Sequence, residues 1–198
     1  MTVALNSNAL LTDVTELNAM SGLALTAGDT VNTLINIASD FIERYTKRFL
    51  KTATYTLEVY DGDGSFYLYP KQWPITAISA LHRWDTSGNV SLQAYTANTD
   101  YLYDGTRGRI YLREGFECGV QNYKITYTAG YVTLPYDIRK ACALFCEWEY
   151  NRRGKTGYDS ESIGDYSYRL SQGKTVDGNA MPPEVLSLLS KYVRRDII

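Results

Sequence analysis

The apolar residues of this chain change period at Lys51, and that change limits what it can fold into. Before it, Val31, Leu34, Ile35, Ala38, Phe41, Ile42, Tyr45 and Phe49 recur at helical spacing, predicting one long helix over 29–49. Asn32, Asn36, Asp40, Glu43, Arg44 and Lys47 fall on the opposite face, as on a helix packed along one side. After it, short runs rich in Tyr, Ile, Leu and Val alternate with Gly, Asn and Asp as far as residue 131. Helical spacing then returns. Ile138, Ala141, Cys142, Phe145, Trp148 and Glu149 follow a proline at 135, which suits a helix's first turn, and the pattern runs to Arg153. A block of strands bracketed by helices predicts an α+β fold, not an alternating α/β one.

The finer reading fills in both parts. A short helix begins at the cap Asp13, with Glu16 three residues on, shares Val14, Leu17 and Met20 on one face, and ends at Gly22. TYTLEVYDGDGSFYLYP reads as a hairpin around a Gly/Asp turn, and WPITAISALHRW as a strand after the turn at Trp73–Pro74. NVSLQAYT, DYLYDGTRGRIYLRE and QNYKITYTAGY bring the total to roughly five to seven strands. Gly154 stops the helix before it. Residues 158–170, YDSESIGDYSYRL, and 172–180, QGKTVDGNA, have no apolar period and read as loops. Pro182–Pro183 opens a last helix over 184–195, with Val185, Leu186, Leu189, Tyr192 and Val193 as its buried face. Lys191, Arg194 and Arg195 complement its C-terminal dipole. The expected organisation is a small helical body of about four helices, 1–52 and 132–198, carrying an inserted antiparallel β-rich domain, 53–131.

Composition narrows the function. Net charge is −2, without the dense basic surface that general nucleic-acid binding needs. MTVALNSNALLTDV has no basic, then apolar, leader pattern, and no apolar run is long enough to span a membrane, so neither secretion nor membrane insertion is expected. Three cysteines, Cys118, Cys142 and Cys146, form no disulfide framework and read as reduced thiols made in a cytoplasm. Tyrosine stands out, at 18 against 5 phenylalanines, and its apolar body with a polar tip suits extensive contacts.

Catalytic chemistry is not indicated. The single histidine, His82, has no positioned nucleophile in its vicinity and reads as a surface or packing residue. Cys142 and Cys146 share a helix face and read as small buried residues, since a zinc site would need two more ligands. DGDGS at 61–65 starts like a calcium loop, but Phe66 and Gln72 occupy the glycine and glutamate positions, so a turn is expected instead. Glu147 and Glu149 point to different helix faces, and no phosphate-binding or nucleophile-elbow motif is present. Neither a cofactor nor a metal is expected.

Several stretches resemble one family in order and texture. They are INIASDFIERYTKRF, PITAISAL, KITYTAGYVTLPYDIRKACALFCEWEYNRR, ESIGDYSYRL and PPEVLSLLSKYVRR. The run carrying most weight is Ile125–Ala141 followed by Ser162–Ser167. Together they resemble the head–tail connector (adaptor, or head-completion) proteins of long-tailed double-stranded DNA bacteriophages.

The resemblance implies a structural virion protein, not an enzyme. It implies a ring, typically dodecameric, below the portal at the head's exit, extending the DNA channel and offering a platform for stopper and tail-completion proteins. Packaged DNA is expected to pass through without sequence-specific binding, a passage that a neutral or negative lumen would favour. The C-terminal segment is implied as the portal contact: Lys191, Tyr192, Val193, Arg194, Arg195, Ile197 and Ile198. The 158–170 segment, with Tyr158, Asp159, Glu161, Asp165, Tyr166 and Tyr168, is expected to meet a neighbouring subunit or the portal, its tyrosines offering area at small entropic cost. Two alternatives stand beside this reading: a stopper or tail-completion protein, and a carbohydrate-binding or adhesion module suggested by Trp73, Trp84 and the tyrosines.

Overall fold

The computed structural model describes residues 3–11, 13–85, 90–153, 160–163, 166–169, 174–176 and 179–194. The architecture is α+β, in two units: 1–48 with 134–198, and 49–133.

The first unit is helical. Helix α1 (Val14–Ser21) is capped by Asp13, whose carboxylate accepts the Glu16 N–H at 2.8 Å. It ends at Gly22, which takes the left-handed conformation (φ 77°) that a helix stop favours. Helix α2 (Asp29–Thr46) buries Val31, Leu34, Ile35, Ala38 and Ile42. The stripe read as continuing to Phe49 ends sooner. Lys47 turns left-handed (φ 55°), carrying the chain out of the helix, and Phe49 is 48% exposed. Helix α3 (Tyr136–Arg152) is the hub, with α1, α2 and α4 (Pro183–Leu189) all packed on it. Ile138, Ala141, Cys142, Phe145 and Cys146 form its buried stripe, and Ala143 widens it. Arg139 pairs with Glu16 of α1 at 2.9 Å, and Lys140 donates to the Met20 carbonyl at the end of α1.

The polar side of α2 is not a bare solvated face. Residues 3–10 run along it, held mostly by main-chain bonds to side chains at helical spacing. The Val3 N–H donates to Asp29 Oδ1 (3.0 Å), and Asn32 Nδ2 donates to the Val3 carbonyl (2.8 Å). Asn36 donates to the Ala4 carbonyl and accepts the Asn6 N–H, both at 2.9 Å. The Leu10 N–H donates to Ser39 Oγ at 2.9 Å, and Asn8 Nδ2 to Glu43 at 3.3 Å. Ala9, Leu10 and Leu11 are buried, as is Glu43, which sequence periodicity places in water.

Three expectations for the C-terminal part change. The last helix does not reach residue 195: α4 stops at Leu189, Ser190–Tyr192 form a 3-10 turn, and Val193 is extended. Tightening of the final turn is a common helix ending, and here the Arg194 N–H leaves to bond the Thr46 carbonyl at 2.9 Å. The two stretches read as loops contain antiparallel strand pairs. Residues Ser160–Ile163 pair with Tyr166–Arg169, and Lys174–Val176 with Asn179–Met181. In sequence, Gly164–Asp165 lies between the two strands of the first pair and Asp177–Gly178 between those of the second, and such dipeptides favour two-residue hairpins.

The second unit holds two sheets. The four-stranded one has the order β1-β7-β3-β4: β1 (Ala53–Gly62), β3 (Ile75–Asp85), β4 (Val90–Tyr95) and β7 (Gly119–Ala129). The three-stranded one has the order β2-β6-β5: β2 (Tyr67–Leu68), β5 (Tyr101–Asp104) and β6 (Arg109–Leu112). The later strands are then β8 (Ser160–Ile163), β9 (Tyr166–Arg169), β10 (Lys174–Val176) and β11 (Asn179–Met181). β1 and β2 are not the expected hairpin: β1 pairs with β7 and β2 with β6. The DGDGS turn is a corner between sheets, tied by the Gly64 N–H to the Phe116 carbonyl (2.8 Å) and the Phe116 N–H to the Ser65 carbonyl (2.7 Å). Gly62 enters it so closely that a Cβ there would lie 1.9 Å from the Glu117 carbonyl oxygen.

Much of the tyrosine lies in the core of this unit. Tyr95, Tyr101, Tyr123 and Tyr127 pack with Leu81, Ile110, Leu112, Phe116 and Ile125. Tyr60 and Tyr127 both donate to one carboxylate oxygen of Glu58 at 2.6 Å, with Lys71 Nζ 3.3 Å from the other oxygen. Tyr95 donates to Glu114 at 2.6 Å. Burial first, and then these carboxylates, push the Tyr60, Tyr95 and Tyr127 hydroxyls well above the usual tyrosine range. Below pH about 10 folded and unfolded chains both keep these protons; above it only the folded chain does, so stability falls as pH rises. In an alkaline absorbance titration, part of the tyrosine signal should therefore appear only with unfolding. Titration of every tyrosine near pH 10 in a chain still folded by circular dichroism would contradict this packing.

Candidate interaction site

The C-terminal residues gather at one end of the helical unit. Tyr192 is only 8% exposed and packs into the unit's own core. Lys191 is exposed and donates to the Asp137 carboxylate of α3; that bond holds its ammonium above the usual lysine range. Its Nζ also sits 5.2 Å from the Tyr192 ring centroid. Val193 and Arg194 are half-buried beside the end of α2, through the Arg194–Thr46 main-chain bond. Arg195, Ile197 and Ile198 lie outside the described residues. The described part of the segment thus offers a cation above a committed aromatic, with the chain continuing beyond it.

In the 158–170 segment, Glu161 lies on β8 opposite Tyr168 on β9, and Tyr166 lies opposite Ile163. Tyr158, Asp159 and Asp165 fall outside the described residues. The pairing places acidic and aromatic positions on one small ribbon.

A further surface was not singled out from sequence. On the outer side of the three-stranded sheet, Phe66, Tyr67 and Leu102 are exposed around Tyr111. The Tyr111 ring lies 6.1 Å from that of Phe66 and 5.4 Å from that of Tyr67, and the Arg109 guanidinium lies 5.3 Å from the Tyr67 ring centroid. Apolar surface gathered in this way marks contact sites. Its signal was the strand alternation Ile110-Tyr111-Leu112, which puts Tyr111 outside when its neighbours are inside.

Of the side chains weighed for chemistry, Cys118 is exposed and the others are engaged within the fold. His82 Nδ1 lies 3.3 Å from Ser91 Oγ across the β3–β4 pair. Cys142 and Cys146 are buried in α3, and the side-chain hydrogen bond between them, with burial, pushes the Cys146 thiol far up, keeping it protonated. Among the described residues no three His, Cys, Asp or Glu gather as a metal site, and no helix is long and apolar enough to cross a membrane.

Comparison with known proteins adds to this geometry. The sequence pattern of the family described as head completion protein matches residues 10–195. No curated protein matches the chain. Among solved structures the chain is similar to one in the neck of an empty GTA (gene transfer agent) particle computed with C6 symmetry, at 18% identity and a TM-score of 0.62, covering 100% of this chain and 96% of that one. It is also similar to one in the neck of a native GTA particle computed with C12 symmetry, at 19% identity and a TM-score of 0.56, with the same coverage. A third, in the virion of a native GTA particle, shares 18% identity at a TM-score of 0.56, again covering 100% and 96% of the two chains. At these identities the likeness is one of fold.

Proposed function

The chain belongs to the head completion protein family, and from that we propose that it works as the adaptor of the particle neck. It forms a ring below the portal, extends the DNA channel, and gives stopper and tail-completion proteins their platform. The observation that carries this reading is the family match across residues 10–195, which spans both structural units. The solved structures of similar fold come from necks treated with C6 and C12 symmetry, which supports a ring, since a heterologous contact repeated by rotation closes one.

The role is structural, not catalytic. The C-terminal segment from Lys191 onward is the portal contact in this reading. Among the described residues the core of this end closes at Tyr192, and the Arg194 main-chain bond ties the chain beyond it to the end of α2. The Phe66–Tyr67–Leu102–Tyr111 face and the β8–β9 ribbon serve contacts with neighbours. DNA slides through without sequence-specific binding, consistent with a net charge of −2.

Depleting the protein from particle-producing cells tests the reading. Heads should fill, then leak DNA or fail to join tails, and adding back the purified chain should restore joining. Negative-stain images should show the chain as a ring on portal-bearing heads. Heads that join tails normally without the protein would refute the adaptor role.

A further inference from the structure

Two surfaces of the second unit carry opposite charge. The first is the outer face of the three-stranded sheet. Tyr67, Tyr111 and Leu102 lie in register across β2, β6 and β5, with the Phe66 ring beside them. Arg109 shares their side of the sheet by strand alternation, and Arg107 stands on the turn before β6 with its side chain 71% exposed. Arg107 Nη1 and Arg109 Nε lie 3.5 and 3.7 Å from one and the same Asp104 oxygen, longer than the roughly 2.8 Å of a tight charge-assisted bond. Arg113 continues the row, and its guanidinium bonds the Asn98 carbonyl at 3.4 Å. Asp100, opposite it, already accepts the Thr96 N–H at 2.7 Å, and the adjacent Glu114 accepts from Tyr95. The face therefore sets three cations, Arg107, Arg109 and Arg113, against two acids, Asp100 and Asp104, around an exposed aromatic row.

The second surface is the corner where β1 ends and β7 begins. The Phe116–Ser65 main-chain bond places it beyond the far end of β6 from the Arg107 turn. Asp61 and Asp63 are exposed there, and among the described residues neither makes an ion pair. Main-chain bonds hold both carboxylates in place: the Gln121 N–H donates to Asp61 at 2.6 Å and the Ser65 N–H to Asp63 at 2.8 Å. Bonds from the Ser65 hydroxyl and then its N–H keep the Asp63 carboxyl below its usual range, so it stays charged. The nearby acids are neutralised, Glu58 by Lys71 at 3.3 Å and Glu117 by Arg83 at 2.5 Å. Val120, next to Gln121, is 73% exposed, an apolar knob beside two fixed carboxylates.

We infer that the acidic corner of one copy seats on the arginine–tyrosine face of a second copy, with Val120 against the aromatic row and Asp61 and Asp63 towards Arg107 and Arg109. Charge complementarity selects this pairing, since face against face and corner against corner both oppose like charges. The contact rests on the ring reading above and gives that ring a joint. It is heterologous, one surface meeting a different one, and so repeats by rotation.

Charge reversal tests the joint. Arg107→Glu and Asp63→Lys change exposed positions and should leave circular dichroism unchanged. Each alone should abolish the ring seen by negative stain on portal-bearing heads, and the two together in one chain should restore it. Cross-linking supplies a second measurement that needs neither variant. Cys118 is exposed at the corner, so a Thr106→Cys chain assembled on heads and treated with a short bismaleimide should give a ladder of multimers. Adding Cys118→Ser should return it to monomers. Rings formed by both folded single variants overturn the joint, as does a folded double variant without a ring or an assembled Thr106→Cys ring without a ladder. All three leave the adaptor reading standing. A wild-type chain that forms no ring, alone or on heads, overturns the adaptor reading and the joint with it.

Discussion

Phe145→Ala lowers the unfolding free energy by about 3–5 kcal/mol. The ring is fully buried on α3, 5.3 Å from the Phe41 ring and 5.8 Å from that of Trp148. Three helices pack on α3, and close-packed interiors relax only partly around a deleted ring, so most of the cavity persists. Phe41 is a milder case. It is half-buried, with the Arg44 guanidinium 4.5 Å from its ring centroid, so Phe41→Ala costs about 1–2 kcal/mol. Asp40→Ala, on an exposed position of α2, stays within about 0.5 kcal/mol of wild type. Denaturant midpoints at constant m-value measure all three. Equal losses at positions 145 and 40 would mean that the packed faces are misassigned.

Deleting residues 194–198 leaves a folded chain that no longer completes particles. Among the described residues, the core of this end closes at Tyr192. The main-chain bond from Arg194 to the Thr46 carbonyl, 2.9 Å long, is worth about 1 kcal/mol, too little to unfold the unit. The deletion removes Arg194, Arg195, Ile197 and Ile198 from the proposed portal contact. A complementation assay should then show filled heads that leak or lack tails, while circular dichroism of the purified chain is unchanged. If the truncated chain still completes infectious particles, the C-terminal segment is not the anchor, and the 158–170 segment becomes the surface to test.

The helices were readable because a one-sided stripe survives without knowledge of its partner. Val31 to Ile42 and Ile138 to Cys146 each keep helical spacing, and apart from the half-buried Phe41 each stripe is buried where that spacing puts it. Phe49 was misplaced because an apolar residue in phase carries no warning that Lys47 has already left the helix. The sheets show a different failure. Gly and Asp at 61–65 signal a turn, but a hairpin turn and a corner between sheets use the same residues for the same reason. The pairing of β1 with β7 separates them, between positions about sixty residues apart or more, and periodicity holds no such information. The ribbons between 160 and 181 were missed because strands of Ser, Thr, Tyr and Glu show no apolar alternation. Asp177–Gly178 was the available clue.

The site was less readable than the fold. The tyrosine excess pointed towards contacts between chains, yet Tyr95, Tyr101, Tyr123 and Tyr127 are core residues, two of them with hydroxyls on carboxylates. Alternation in NYKITYTA already placed Tyr123 and Tyr127 on the same side as Ile125, which is the signal that separates core tyrosines from surface ones. Tyr192 suits both a buried helix face and a docking surface by sequence, and the structure places it in the core.

The strap of residues 3–10 along α2 bears on how this protein can diverge. Asp29, Asn32, Asn36 and Ser39 bond its peptide groups, while the side chains from Val3 to Ser7 contribute none of those bonds. Random drift at the exposed Val3, Ala4 and Asn6 therefore carries little structural penalty, provided no proline removes a bonded N–H. The helix has no such latitude: Asn36 both donates and accepts, and neither an aspartate nor a leucine can do both. The two partners in one contact thus evolve under unequal constraint, and an alignment scored by similarity alone would undervalue the segment whose backbone does the binding.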